Sequence, residues 1–109
     1  MAGRFYRPKS VTVLGQKFSI LYEDPDDLNN VFLDETCEVH AYAEVASREI
    51  HIDETLDKEA TYRILRHEII HCAIALSGLK ETLTDDQEEA FCVLIESVYD
   101  SLQIKRGLP

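Results

Sequence analysis

The sequence predicts an α+β domain: a small antiparallel or mixed sheet with two helices packed on one of its faces. Three observations predict it. Apolar and polar residues alternate through the first half of the chain. The period lengthens to that of a helix after Asp57. Two punctuation signals, Gly78 and the pair Thr84 and Gln87, then divide the second half into two helices. Strands followed by helices, without alternation, is the order of an α+β architecture.

The elements follow in order. Val11–Leu14 and Phe18–Tyr22 flank Gly15-Gln16-Lys17, which reads as a hairpin turn. Glu23-Asp24-Pro25-Asp26-Asp27 reads as the start of a loop, and residues 28–37 leave room for a short helical turn. In the next hairpin Val39, Ala41, Ala43 and Val45 alternate with His40, Tyr42 and Glu44, and Ala46-Ser47 forms the turn. Ile50 and Ile52 then take one face, and Glu49, His51 and Asp53 the other. The first helix is expected from about Asp57 to Ser77, capped by Asp57 or Thr55 and stopped by Gly78. The second starts at a capping box, Thr84 with Gln87, and runs to about Ile104, before Gly107-Leu108-Pro109. Its inward stripe reads as Phe91, Ile95, Val98, Tyr99 and Leu102. With 109 residues the chain has material for one modest core and no second lobe, so residues 1–109 read as a single domain.

Composition excludes some classes. A formal net charge of -10 argues against nucleic acid as a partner, because the protein would repel the phosphate backbone. No apolar run approaches the length of a membrane span, so no membrane role is expected. The opening Met1–Pro8 carries positive charge without a following apolar run, which is not the pattern of a secretory signal. Three cysteines, Cys37, Cys72 and Cys92, fit reduced thiols in a cytoplasmic protein, with Cys72 and Cys92 as small core residues. Nothing in the pattern fixes an oligomeric state.

The chemistry is concentrated in His67-Glu68-Ile69-Ile70-His71, an HExxH motif inside the first predicted helix. Positions i and i+4 leave the same side of a helix one turn apart, so two imidazoles reach one tetrahedral zinc ion. Glu68 is rotated by roughly 100° from His67 and sits beside the ion. There it can act as general base on water that the metal has acidified. The rest of the helix is apolar almost all round, from Ile69 to Leu76, so charged groups placed in it need partners.

A catalytic zinc site takes a third protein ligand. The candidates are Asp85, Asp86, Glu88 and Glu89, in the first turns of the second helix. Glu88 precedes Phe91 by three residues, Cys92 by four and Ile95 by seven, which puts it on the inward face. Glu89 lines up with Glu96 and Asp100 on the polar face. Rotation therefore expects Glu88 as the ligand, with Glu89 as the alternative.

The motif and the acidic segment Asp85-Asp86-Gln87-Glu88-Glu89-Ala90-Phe91 resemble the gluzincin arrangement, an HExxH helix followed by a glutamate on the next helix. Over roughly residues 38–104 the chain resembles the small zincin-like metallopeptidases encoded by phages and prophages, which are similar to ImmA/IrrE-like metallopeptidases. The resemblance implies a minimal zincin-like fold. It also implies zinc held by His67, His71 and a glutamate, with Glu68 as general base, and a protein or peptide as substrate. In ImmA/IrrE-like proteins the ligand glutamate precedes an alanine, and Glu89-Ala90 would be that match, against the rotation argument. The resemblance further implies that an edge strand, here Val39 to Val45, holds an extended peptide beside the motif helix. The chain departs from the large peptidases in having no lid or second lobe.

Remaining polar residues have plainer readings. His40, Tyr42 and His51 could steady an oxyanion, but as sheet-surface residues they need no such role. Cys37 and His40 make one CxxH pair, a weak ligand signal. Tyr62 and Arg66 lie one helical turn apart. The sequence thus expects a zinc-dependent peptide-bond hydrolase. The alternatives are a catalytically weak zincin-fold module that binds a host or phage protein, and a structural zinc domain.

Overall fold

The computed structural model describes residues 5–30 and 39–106, with side chains excepted at Asn30 and from Asp100 onward. Cys37, the end of the ambiguous 28–37 stretch, the Leu102 side chain and Gly107-Leu108-Pro109 lie outside the described residues. The architecture is α+β. Strands β1 (Ser10–Val13) and β2 (Gln16–Glu23) precede helix α1 (Pro25–Asn30). Strands β3 (Ala41–Glu44) and β4 (Glu49–Asp53) lead into helix α2 (Lys58–Ser77), a 3-10 turn at Leu79–Glu81, and helix α3 (Asp85–Arg106). The four strands form one mixed sheet in the order β1-β2-β4-β3.

Both hairpins form. β1 and β2 pair antiparallel with Val13 opposite Gln16, so the turn is Leu14-Gly15, one residue earlier than the glycine suggests. Both turn residues have positive φ, 47° and 79°, the backbone twist that suits a two-residue hairpin. β3 and β4 pair antiparallel with Glu44 opposite Glu49. β4 also pairs in parallel with β2, Ile20 opposite Ile50, which makes β4 central and leaves β3 at the edge.

Segment 23–27 is a correction. It begins a helix rather than a loop. The Asp24 side chain accepts a hydrogen bond from the Asp26 N–H at 2.8 Å, and Pro25 occupies the first helical position. Asp-Pro serves helix starts as well as turns, because proline's missing N–H costs nothing there.

Strand alternation sends Phe18, Ile20, Ile50 and Ile52 to one face, where they pack with Val13, Leu65 and Cys72. Opposite them on β4, His51 and Asp53 are also buried, although alternation alone would leave them at a surface. α1 packs against β4, and Leu28 is fully buried. α2 starts on Asp57, whose side chain accepts from the Ala60 N–H, and ends on Gly78 at φ 86°. α3 opens with the expected reciprocal box: Thr84 Oγ1 accepts from the Gln87 N–H, and Gln87 Oε1 accepts from the Thr84 N–H. Cys72 and Cys92 are free and fully buried. Among the described residues no helix is long and apolar enough to cross a membrane.

The inward stripe of α3 is the second correction. Glu88 and Cys92 are buried, but Phe91, Val98 and Tyr99 are exposed, Val98 by 52%. α3 turns Glu88, Glu89 and Glu96 to the α2 histidines, while Phe91 and Ile95 line a cleft with Ile70 and Ala73 of α2.

Candidate metal centre

His67 and His71 project from one side of α2, and their Nε2 atoms converge to 3.1 Å. Glu88, Glu89, Cys92 and Glu96 form a stripe along α3, since residues four and seven or eight apart share a helix side. The Glu89 carboxylate meets both converging nitrogens, with Oε1 2.8 Å from His67 Nε2 and Oε2 3.2 Å from His71 Nε2. The outer nitrogens are also occupied. His71 Nδ1 lies 2.5 Å from Glu88 Oε2, and His67 Nδ1 pairs with Glu96. Lys80 donates to the other Glu88 oxygen at 3.0 Å.

This donor set tests whether a cation fits. If each Nδ1–H is donated to its carboxylate, both Nε2 atoms are bare lone pairs. They then face each other and Glu89 with no hydrogen among them. Such a cluster is repulsive unless a positive charge lies between its members. Zinc with bonds of about 2.0–2.1 Å spaces its donors about 3.3 Å apart. The observed separations of 2.8, 3.1 and 3.2 Å lie just inside that spacing, so the donors would open slightly around an ion. Carboxylates on the outer nitrogens would favour that tautomer, as in carboxylate–histidine–metal triads.

Rotation places both glutamates as expected: Glu88 is 6% exposed, and the Glu89 side chain 54%. Burial, however, does not select the donor. The Nε2 pair lies at the rim of the helix seam, where Glu89 reaches it, while Glu88 lies deeper and meets Nδ1. Glu89 is the carboxylate that meets both Nε2 atoms, and Glu88 the one that meets an outer nitrogen. Sequence reasoning missed Glu96 and Lys80. Glu96 was legible only as the residue seven after Glu89, on a face that read as solvent-exposed. Asp85 lines the neighbouring cleft, and Asp86 is exposed.

Glu68 lines a cleft of about 570 Å³ together with His71, Cys72, Glu88 and Glu89. The opposite wall is the edge strand and its flanks, Val39, Ala41, Tyr42, Ala43 and Val45. Burial raises the Glu68 carboxyl above its ordinary value; His71 and His67 pull it back and Glu89 pushes it further up. For His67, burial opposes protonation, but the hydrogen bond to Glu96 and the charges of Glu89, Glu96 and Glu68 outweigh it and raise its pKa. For Glu88, burial is outweighed by the hydrogen bonds from His71 and Lys80, which hold it below the usual carboxylate range. Burial and the surrounding glutamates push the Cys92 thiol up to about 12. Its sulfur lies 3.7 Å from both nitrogens of His71, so it packs over the side of the ring rather than facing Nε2 alone.

Other expected participants are elsewhere. His51 sits among Glu23, Glu44 and Glu49, stacked on Tyr42, on the sheet face away from α2. His40 Nδ1 is 3.5 Å from Asp53. Tyr62 donates to the Tyr6 carbonyl, Arg66 lies over the Tyr99 ring, and the two side chains line the same cleft. No known protein family, curated protein or solved structure matches the chain.

Proposed function

We propose that the chain is a zinc-dependent peptide-bond hydrolase of minimal HExxH type, with the metal held by His67, His71 and Glu89. The observation that carries this reading is the convergence of three possible donor atoms. Two Nε2 atoms and one carboxylate converge at donor spacing, while both Nδ1 atoms are occupied by other carboxylates. Zinc held there would polarise a carbonyl and acidify water towards neutrality. Glu88, with Lys80 behind it, orients His71, and Glu96 orients His67. Glu68, one residue from His67 and facing the cleft, is the general base. It accepts a proton from water in the cleft and returns it to the leaving amine. β3, the last strand of the described sheet, would offer main-chain hydrogen bonds to an extended peptide lying along the cleft past Glu68.

The second reading is a structural zinc site. It rests on one observation: Cys92 offers its sulfur within 4.8 Å of donor atoms of His67 and His71. With Cys92 as fourth donor the site would be closed to water. Metal analysis paired with a peptidase assay on Glu68→Gln separates the readings. The hydrolase reading expects about one zinc per chain in both proteins, and cleavage of unfolded protein or peptide pools only by the unsubstituted chain. Absence of stoichiometric metal, or equal cleavage by both, overturns it. Zinc in both with cleavage by neither favours the structural site.

A further inference from the structure

We propose a second divalent-cation site on the sheet face away from α2, formed by His51 Nε2 with the carboxylates of Glu44 and Glu49. His51 lies on β4 between Ile50 and Ile52, which point into the main core, so its ring leaves from the opposite face. The ring is nine-tenths buried, at 7% exposure. Its Nε2 lies 3.0 Å from Glu49 Oε1 and 3.3 Å from Glu44 Oε1. Its Nδ1 lies 3.0 Å from Glu23 Oε2. Tyr42 stacks flat on the ring, 4.5 Å between centroids and 6° between planes, and fixes its orientation.

Proton counting leads to the proposal. A neutral imidazole has one N–H, yet three carboxylates surround this one. With Nδ1–H donated to Glu23, the buried Nε2 is a lone pair aimed between two carboxylate oxygens. Among the described residues, the ion pairs of these three glutamates all go to His51 itself, with no lysine or arginine sharing them. The missing positive charge is either a second proton on His51 or a metal ion. A proton on Nε2 makes one good hydrogen bond, whereas Glu44 and Glu49 both converge there. A metal ion takes both carboxylates and the nitrogen together. First-row divalent ions with bonds near 2.1 Å space their donors about 3.0–3.4 Å apart, depending on coordination number. The observed 3.0 and 3.3 Å fall in that range.

The donor set indicates the kind of ion. One imidazole with two carboxylates suits zinc, manganese or iron(II), whereas calcium and magnesium favour all-oxygen shells. Glu44 and Glu49 are partly exposed, so an ion can enter from solvent. Glu23 on Nδ1 is the outer partner that fixes the tautomer.

The test uses the full chain with the α2 histidines replaced, His67→Ala with His71→Ala, and reads zinc and manganese binding by calorimetry. One ion should still bind. Adding Glu44→Gln with Glu49→Gln should weaken that binding at least 100-fold, and Glu23→Gln should weaken it by about 10–100-fold, the range for an outer partner. In 15N imidazole spectra of the unsubstituted chain, added zinc should shift His51 Nε2 while Nδ1 stays protonated. This measurement also serves if the α2 variants fail to fold. Unmoved His51 resonances at saturating zinc would mean that the missing charge is only a proton, and the proposal fails. Binding that survives the Glu44 and Glu49 changes also overturns it. Because the α2 histidines are absent from the first experiment, loss of their site leaves this result unaffected.

Discussion

Replacing Glu88 and Glu89 separately by glutamine divides two roles that adjacent residues play around one histidine pair. The Glu89 carboxylate touches both Nε2 atoms, at 2.8 and 3.2 Å, and its side chain is 54% exposed. Glu89→Gln removes an anionic donor but leaves no buried group unpaired. Its zinc affinity should fall by more than 100-fold, about 2.7 kcal/mol, while the metal-free melting temperature stays nearly unchanged. Glu88 is buried and pairs with His71 Nδ1 and Lys80. Glu88→Gln leaves a buried network partly satisfied, which costs about 1–3 kcal/mol of metal-free stability. For a domain of this size that is a melting shift of several degrees, at roughly 4 °C or more per kcal/mol. Its effect on zinc should stay within about 10–100-fold, the range for an outer partner. Competition against a chelator of known affinity gives the zinc constants, and calorimetry of the metal-free proteins gives the stabilities. A larger zinc loss in Glu88→Gln than in Glu89→Gln would refute the assignment. Equal small losses in both would mean that neither carboxylate binds metal.

Further outcomes follow from the same geometry. Cys92→Ala should retain about one zinc per chain, measured by metal analysis after gel filtration; loss of the zinc would instead establish the closed, four-donor site. Gly78→Ala meets no atom within 4 Å, so its cost is the backbone alone at φ 86°. A loss of about 1–2 kcal/mol in urea unfolding is expected, and an unchanged midpoint would contradict the left-handed cap. Ile52→Ala, fully buried between strand neighbours and α2, should cost about 2–5 kcal/mol in the same assay. A loss below 1 kcal/mol would place Ile52 outside the core.

Much of the fold was legible because its signals are local. Alternation at Val39–Val45 and at Ile50 and Ile52, the Asp57 and Gly78 caps, and the Thr84–Gln87 box each act within a few residues, and each appears in the structure. The helix at Pro25 was missed because Asp-Pro begins turns and helices alike. That β4 pairs in parallel with β2 depends on a long connection, which no local pattern encodes. The burial of His51 follows from its neighbours, not from its own strand pattern. The i, i+4 histidines were legible because helix geometry fixes their spacing. Their partners on α3 were not, because rotation of one helix says which residues share a face and not what that face will meet.

That last point bears on how the molecule is built. An amphipathic helix ordinarily buries its apolar stripe and leaves its acids in water. α3 instead turns Glu88, Glu89 and Glu96 towards His67 and His71, and leaves Val93, Leu94 and Val98 exposed. The seam therefore combines carboxylate–imidazole contacts with apolar ones, Phe91 and Ile95 lining a cleft with Ile70 and Ala73. Four glutamates, counting Glu68, surround two imidazoles, with Lys80 the one lysine among the contacts made by Glu88. A divalent cation at the Nε2 pair would relieve much of that repulsion. It would therefore stabilise the helix seam as well as supply chemistry, because any ligand bound only by the folded state adds its binding free energy to folding. A metal bound there would therefore raise the melting temperature of the unsubstituted chain, and an unchanged melting temperature at saturating zinc would refute this coupling.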